Sequence, residues 1–265
     1  MLDGPLKFAY IQHQVVMKNK ITEDENIIAQ FIFAATEATH DVVFEPADGT
    51  PFFKVVFECL YPGITLSSNV LDAWSNVVNH DEKKKAPGSP FRLFVQTNIM
   101  PSDCSKPQYD DLKRMDTMMA NLNLALSKND IKSINEVDLL FMPIVSSKHI
   151  YVICFNMKTL KIEILDNSKL GDISKYEYII VPLKEALCNY MMVNDHPMTS
   201  KMVSKKPVRV QIEWRTTKNK IDCGVFTMRH METSMSTYKK KWVTDFQKEG
   251  PSQQMQFDDL RYKYL

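Results

Sequence analysis

Of the five cysteines, Cys59, Cys104, Cys154, Cys188 and Cys223, no two form a CxxC pair, and an odd number cannot all pair with one another. Both a disulfide framework and a zinc cage are therefore unexpected. No apolar run is long enough to span a bilayer, and none near the N-terminus follows a positive cluster as in a signal peptide. The chain is accordingly expected to be soluble and intracellular. It also lacks an excess of either charge: 33 Lys and Arg against 32 Asp and Glu leave a net charge of +1. That balance excludes the basic footprint of a nucleic-acid binder and an acidic tail. The lysine runs at 83–85 and 239–241 read as solvated faces or loops. With no internal repeat and no low-complexity tract, 25% charged and 44% hydrophobic residues describe ordinary globular composition, and one domain is expected.

The elements are marked by spacing. A short strand is assigned around Lys7 to Val16. Thr22-Glu23-Asp24-Glu25 has capping-box spacing, and Ile27, Ile28, Phe31, Ala34 and Ala35 then recur at helical steps, predicting an amphipathic helix to about Ala38. Pro62-Gly63 signals a turn, and Asn69 is placed to cap a second helix carrying Val70, Leu71, Trp74, Val77 and Val78, with Trp74 as a core anchor. Asp81 to Pro90 reads as an exposed loop and Phe91 to Val95 as a short strand. Pro107 suits the first turn of a third helix, along which Leu112, Met115, Met118, Met119 and Leu122 form a core stripe. Leu139–Val145, Ile150–Phe155 and Lys161–Leu165 read as strands, the first two apolar at consecutive positions, as in a sheet covered on both faces. Val181 to Val193 reads as helix and Val208 to Trp214 as strand, whereas the polar tail from Gly250 to Leu265 gives no fold assignment.

The stretch Ile221-Asp222-Cys223-Gly224-Val225-Phe226 carries the strongest chemical signal. Asp222 is of a type that caps helices through its side-chain oxygen. Cys223 would then stand in the first turn, where the helix dipole favours a thiolate. An isolated cysteine is more often a small buried hydrophobe. Gly224, which leaves room for a substrate backbone, and an upstream His and Asp shift the balance towards a nucleophile.

The strands on either side of Lys158-Thr159 are close enough for an antiparallel hairpin. If Met157 pairs with Leu160, opposing residue numbers sum to 317, so Tyr151 faces Asp166 and His149 faces Ser168. His149 and Asp166 become diagonal neighbours on one face, roughly 7 to 8 Å apart at the backbone. A slip of one residue would put them on opposite faces. The carboxylate would hold the ring in one tautomer and stabilise its protonated form. His230, seven residues past Cys223, lies about 10.5 Å further along a continuous helix, too far to take the thiol proton. His13, His40, His80 and His196 have no acidic or cysteine partner at recognisable spacing and are read as structural or surface residues.

In this His, Asp, Cys order the chain resembles the ubiquitin-like-protein-specific cysteine proteases that process SUMO and related modifiers, and more closely the plant members, many carried by transposons. The matching segments are Asp138-Leu139-Leu140-Phe141-Met142-Pro143-Ile144, Lys148-His149-Ile150-Tyr151-Val152-Ile153-Cys154-Phe155, Ile164-Leu165-Asp166-Asn167-Ser168 and Ile221-Asp222-Cys223-Gly224-Val225-Phe226-Thr227-Met228-Arg229-His230-Met231-Glu232. Val70-Leu71-Asp72-Ala73-Trp74-Ser75 is a weaker match. The resemblance covers roughly residues 22 to 240. It implies a protease domain over 22–265 after an extension of residues 1–21. The implied fold is papain-like α+β, a mainly antiparallel or mixed sheet flanked by helices, with the nucleophile at a helix N-terminus. It also implies cleavage of peptide or isopeptide bonds after a modifier's C-terminal Gly-Gly, with Cys223 as nucleophile, His149 as base and Asp166 as its orienter. The implied partner is a SUMO-type modifier with its conjugates, and nuclear residence rests on the resemblance alone. No cofactor, metal, nucleic acid or membrane is expected, and the chain is expected to act as a monomer.

Three features depart from the family pattern. The glutamine that binds the oxyanion a few residues before the cysteine has no counterpart between Ile212 and Asp222. Arg215 stands in its place, or Thr217 under alternative gapping, and both are oxyanion candidates beside the Cys223 amide. Ile150 replaces the aromatic residue that often follows the histidine, and no tryptophan sits near Leu66. The alternative readings are a domain that binds a ubiquitin-like modifier without efficient cleavage, and a protease that matures a polyprotein.

Overall fold

The computed structural model describes residue 17 and residues 20–34, 39–100, 110–146, 149–236, 242 and 244–265. The expected strand at Lys7 to Val16, Pro107, His13, Cys104 and the lysine run at 239–241 lie outside these residues. Helix α1 (Glu23–Phe33) is followed by the short pair β1 (Val42–Phe44) and β2 (Phe52–Phe53), then α2 (Lys54–Phe57), α3 (Ser68–Glu82), β3 (Arg92–Phe94) and α4 (Asp111–Lys128). The chain continues through β4 (Leu139–Ser146), β5 (His149–Asn156), β6 (Lys161–Leu165), α5 (Glu177–Val193), α6 (Thr199–Val203), β7 (Pro207–Arg209), α7 (Cys223–Thr233) and α8 (Pro251–Lys263).

The apolar runs of β4 and β5 are continuous because helices cover the sheet on both sides. Ile150, Val152 and Cys154 of β5 pack into a core shared with Leu71 of α3, Phe226 of α7 and Leu260 of α8. Their neighbours Tyr151, Ile153 and Phe155 pack into a second core with Met118 and Leu122 of α4 and Leu183 and Leu187 of α5. The sheet order is β3-β4-β5-β6-β7, antiparallel at the two inner pairs and parallel at the two outer ones. The result is a mixed-sheet α+β fold, as expected.

The hairpin has the anticipated register, from Val152 opposite Leu165 to Asn156 opposite Lys161. Past Leu165 the chain leaves the ladder, and Ser168 bridges to Thr216 instead of facing His149. Strand β7 is shorter than the expected Val208 to Trp214. Arg215 donates to the Val210 carbonyl and to Gln211 Oε1, folding the chain back on itself.

Several other boundaries differ from expectation. Asn69 lies inside α3, whose N-cap is Ser67. Helix α4 starts from Asp110, whose carboxylate accepts from the amides of Leu112 and Lys113, and Leu112 is left 66% exposed. The capping box of α1 is present, but the helix ends at Phe33 and the residues it buries are Ala29 and Ile32. Its Ile27, Ile28 and Phe31 remain at least 44% exposed and line an apolar groove with Phe44, Trp74 and Tyr264. Phe33 instead meets Tyr61 and Tyr262 edge-on, which sets the helix's orientation. Trp74 is the expected anchor, its Nε1 donating to the Met228 carbonyl of α7 at 3.1 Å.

Every residue of α7 is buried, so its terminal backbone groups need protein partners. At the C-terminal end, Arg92 Nη1 donates to the carbonyls of Met231, Glu232 and Ser234 at 3.0 to 3.2 Å. Its Nε pairs with Glu82 at 2.6 Å, both side chains almost completely buried. Glu82 therefore belongs to the interior, not to the exposed loop expected from Asp81 onwards. Arg92→Met, which strands the Glu82 carboxylate, is expected to cost about 3 to 5 kcal/mol of folding stability. Urea unfolding should show a lower midpoint, and Glu82→Gln added to that variant should recover part of the loss.

Candidate active site

The end of β5 and the exit of β6 bring His149 and Asp166 into contact. His149 Nε2 donates to Asp166 Oδ1 at 2.7 Å. The Asp166 carboxylate is fully buried and collects further donors: the Ser168 amide at 2.8 Å, Lys175 Nζ at 3.1 Å and the Tyr176 hydroxyl. Arg209 of β7 adds an ion pair at 3.8 Å. Burial opposes ionisation of Asp166, but the bond and attraction from His149, with those from Ser168 and Tyr176, hold its carboxyl well below the usual carboxylate range. Lys175, Tyr176 and Arg209 were not singled out from the sequence. The first two come from a 3-10 turn at Ile173–Tyr176 and the third from an edge strand, and neither setting carries a periodic signal.

Cys223 is the first residue of α7 and is completely buried. Its side chain lies beside the His149 ring, close enough to act on the ring's protonation, and because Nε2 is engaged by Asp166, Nδ1 is the nitrogen left for the sulfur. Burial lowers the His149 pKa, but the hydrogen bonds to Asp166 and Cys223 and the attraction of both groups outweigh it and raise the value to about 9. At neutral pH the ring is therefore an imidazolium held between a carboxylate and a sulfur. The three residues placed together by sequence reasoning are together in space.

The surroundings of Cys223 differ from expectation at two neighbours. Asp222 occupies the N-cap position, yet its side chain makes no cap hydrogen bond. Oδ1 accepts instead from Arg261 Nε at 3.0 Å and Nη2 at 2.6 Å, while Oδ2 accepts from Asn219 at 2.7 Å and Gln254 at 3.2 Å. Gly224 does not open a path for substrate: a Cβ there would stand 2.8 Å from Leu66 Cβ. Its lack of a side chain lets the loop before α3 pack directly on the cysteine turn. Of the oxyanion candidates, Arg215 is buried with its guanidinium on Val210 and Gln211. Thr217 is exposed, and its amide and that of Lys218 donate to Glu249 at 2.8 and 2.7 Å. His230 is a buried acceptor for Trp214 Nε1 at 3.0 Å, and burial depresses its pKa to about 3, which keeps the ring neutral. Among the described residues no group of three or more His, Cys, Asp or Glu forms a metal-binding cluster, and no helix is long and apolar enough to cross a membrane.

A histidine bonded to a carboxylate on one side and facing a cysteine at a helix N-terminus on the other is the arrangement of a thiol peptidase. Residues 66–263 match the Ulp1 protease family, C-terminal catalytic domain. The chain belongs to that family. This Ulp1-family domain is thus a cysteine-type peptidase domain, as its motif order implied. It is similar in fold to the C-terminal Ulp1 protease domain in complex with Smt3, the yeast ortholog of SUMO, with a TM-score of 0.65, 14% identity, and 95% of this chain and 98% of that chain covered. The Ulp1 SUMO protease with its catalytic cysteine oxidised to a sulfonic acid gives 0.64, 12% identity, and 94% and 98% coverage. The Ulp1-like SUMO protease catalytic domain of Chaetomium thermophilum gives 0.60, 17% identity, and 93% and 88% coverage. At such identities the likeness is one of fold. No curated protein matches the chain in sequence.

The raised pKa of His149 has a thermodynamic consequence. A group that binds its proton more tightly when folded contributes stability that is fully present below its unfolded value, near 6.5, and lost as pH rises through about 9. Urea unfolding should therefore show stability declining across that window, and His149→Gln should remove the decline.

Proposed function

We propose that this domain hydrolyses peptide or isopeptide bonds after the C-terminal Gly-Gly of a SUMO-type modifier, with Cys223 as nucleophile, His149 as acid and base, and Asp166 as orienter. The observation that carries the proposal is His149 bonded to Asp166 through Nε2 and standing beside Cys223 at the start of α7. The sulfur of Cys223 attacks the glycine carbonyl, and the Cys223 backbone amide, at a helix start with no side-chain cap, faces the charge that develops on the oxygen. Collapse of the tetrahedral adduct transfers the His149 proton to the leaving amine and leaves a thioester. The neutral ring then takes a proton from water, whose attack releases the modifier's carboxyl group and expels the Cys223 sulfur as a thiolate beside the restored imidazolium. Fold similarity to the Ulp1 domain bound to Smt3 supports the choice of modifier class.

A SUMO-type modifier ending in a vinyl sulfone or other electrophile should form one adduct, at Cys223, that disappears in Cys223→Ala. Wild-type protein that stays unlabelled by a panel of such modifiers would overturn the assignment. The ring must be protonated to expel the amine, so kcat/KM should fall as pH rises through about 9.

One observation favours a second reading, in which the domain holds a modifier but cleaves slowly. The Arg215 guanidinium is engaged by Val210 and Gln211, and position 217 carries a side chain two heavy atoms shorter beyond Cβ than the glutamine it would replace. Thr217→Gln should then raise the cleavage rate by about a hundredfold, the worth of one oxyanion donor. An unchanged rate in an active enzyme rejects this reading.

A further inference from the structure

We infer that Arg261, near the C-terminal end of α8, is a positioning residue for Cys223: it draws the Asp222 carboxylate off the first turn of α7 and neutralises it there. The consequence for acyl transfer rests on the protease reading above, whereas thiol reactivity tests the inference independently.

An aspartate at a helix N-cap ordinarily turns its oxygen onto the amides of the first turn. Asp222 stands at that position and makes no such bond. Two charge-assisted bonds from Arg261 hold Oδ1, and Asn219 and Gln254 hold Oδ2. The arginine is fixed in turn. Its side chain is completely buried, with Nη1 donating to the carbonyls of Cys59 and Tyr61 at 3.1 and 3.3 Å and Nη2 to that of Ile64 at 2.8 Å. It cannot follow the carboxylate back towards the helix without leaving those three acceptors.

Two effects follow at Cys223. The first-turn amides stay clear of an internal anion, and the negative charge one residue before the sulfur is paired with a buried cation, so it does not oppose a thiolate. The other charged groups near this turn are His149 on β5, with Asp166 behind it, and Asp258 of α8, whose Oδ1 accepts at 3.1 Å from the same Gln254 Nε2 that binds Asp222. On the remaining neighbours of α7, Glu82 of α3 and Arg92 of β3 sit at the opposite end, and Asp72 of α3 is bound to Thr97.

Alkylation of Cys223 by chloroacetamide across about pH 5 to 10, read by mass spectrometry of its peptide, reports the thiolate directly. Arg261→Gln releases Asp222 and should move the alkylation midpoint up by about one pH unit, slowing the reaction at about pH 7 roughly tenfold. Adding Asp222→Asn removes the charge and should return the midpoint to the wild-type value, although both variants melt below wild type. A merely structural arginine would lower both melting temperatures and leave the midpoint in place, and that result overturns the inference, as does a double variant that stays shifted. If Arg261→Gln does not fold, Asp222→Asn alone decides: with the cation retained the midpoint should move down, and an unmoved or raised midpoint overturns the inference. In the modifier-cleavage assay Arg261→Gln should reduce kcat about tenfold with KM nearly unchanged. Failure of wild type to cleave any modifier would count against the protease reading while leaving the alkylation shifts to judge Arg261.

Discussion

A helix buried on every side cannot leave its ends to water. Most helices satisfy their terminal amides and carbonyls with solvent or short local caps. Helix α7 has neither option, since all of its residues from Cys223 to Thr233 are interior. The chain answers with long charged side chains from distant segments. Arg92 of β3 collects three carbonyls at the C-terminal end, whereas at the N-terminal end Arg261 of α8 holds Asp222 away from the first-turn amides and fixes the chain entering the helix. Each arginine is paired with a buried carboxylate, Glu82 or Asp222, so neither charge is uncompensated. Cys223 is thereby fixed along the helix axis from both ends, while α3, β5 and α8 confine α7 laterally.

The same logic governs the other half of the site. Asp166 has no exposure, and an isolated buried carboxylate would take up a proton. Donors from Ser168, Lys175, Tyr176 and His149, with Arg209 nearby, keep it ionised. Only an ionised Asp166 can hold the imidazolium of His149, so the 3-10 turn at Ile173–Tyr176 and edge strand β7 act on the cysteine through two intermediates. The loss of ladder pairing after Leu165 belongs to this arrangement. A carboxylate still pleated opposite Tyr151 would present its oxygens to one strand, whereas the released chain can be reached from β5, β7 and the turn at once.

How much of this was legible follows from what leaves a period in sequence. The hairpin register came from two apolar strands and a short turn, and it brought His149 and Asp166 together because cross-strand partners share a face. Cys223 was legible from its place before an apolar helical run. The corrections cluster where charge is buried. Asp222 looks like an N-cap in sequence, since nothing local reveals an arginine 39 residues later. Glu82 sits beside a lysine run and reads as solvent-facing. In the C-terminal tail the buried positions Gln253, Phe257, Leu260, Arg261 and Tyr264 fall on one helical face. Two of the five are polar, which erases the amphipathic pattern. Helix α1 shows the converse: its apolar face was correctly placed on a helix, but apolarity does not state what will cover it, and Ile27, Ile28 and Phe31 remain exposed.

Gly224 joins these threads. A glycine after a candidate nucleophile invites the reading that substrate needs the space, yet the space is already filled by Leu66. Leu66 lies two residues past Ile64, whose carbonyl is bound by Arg261. The loop at 59–66 is thus pressed against the cysteine turn by direct packing at Gly224 and by the arginine at Asp222. Two contacts on the residues flanking Cys223, one apolar and one ionic, constrain both the position and the rotation of the helix start. Either alone would leave a degree of freedom: packing permits the turn to roll about Leu66, and an ion pair permits it to slide. A nucleophile that must meet a histidine on another element within hydrogen-bonding distance tolerates neither motion.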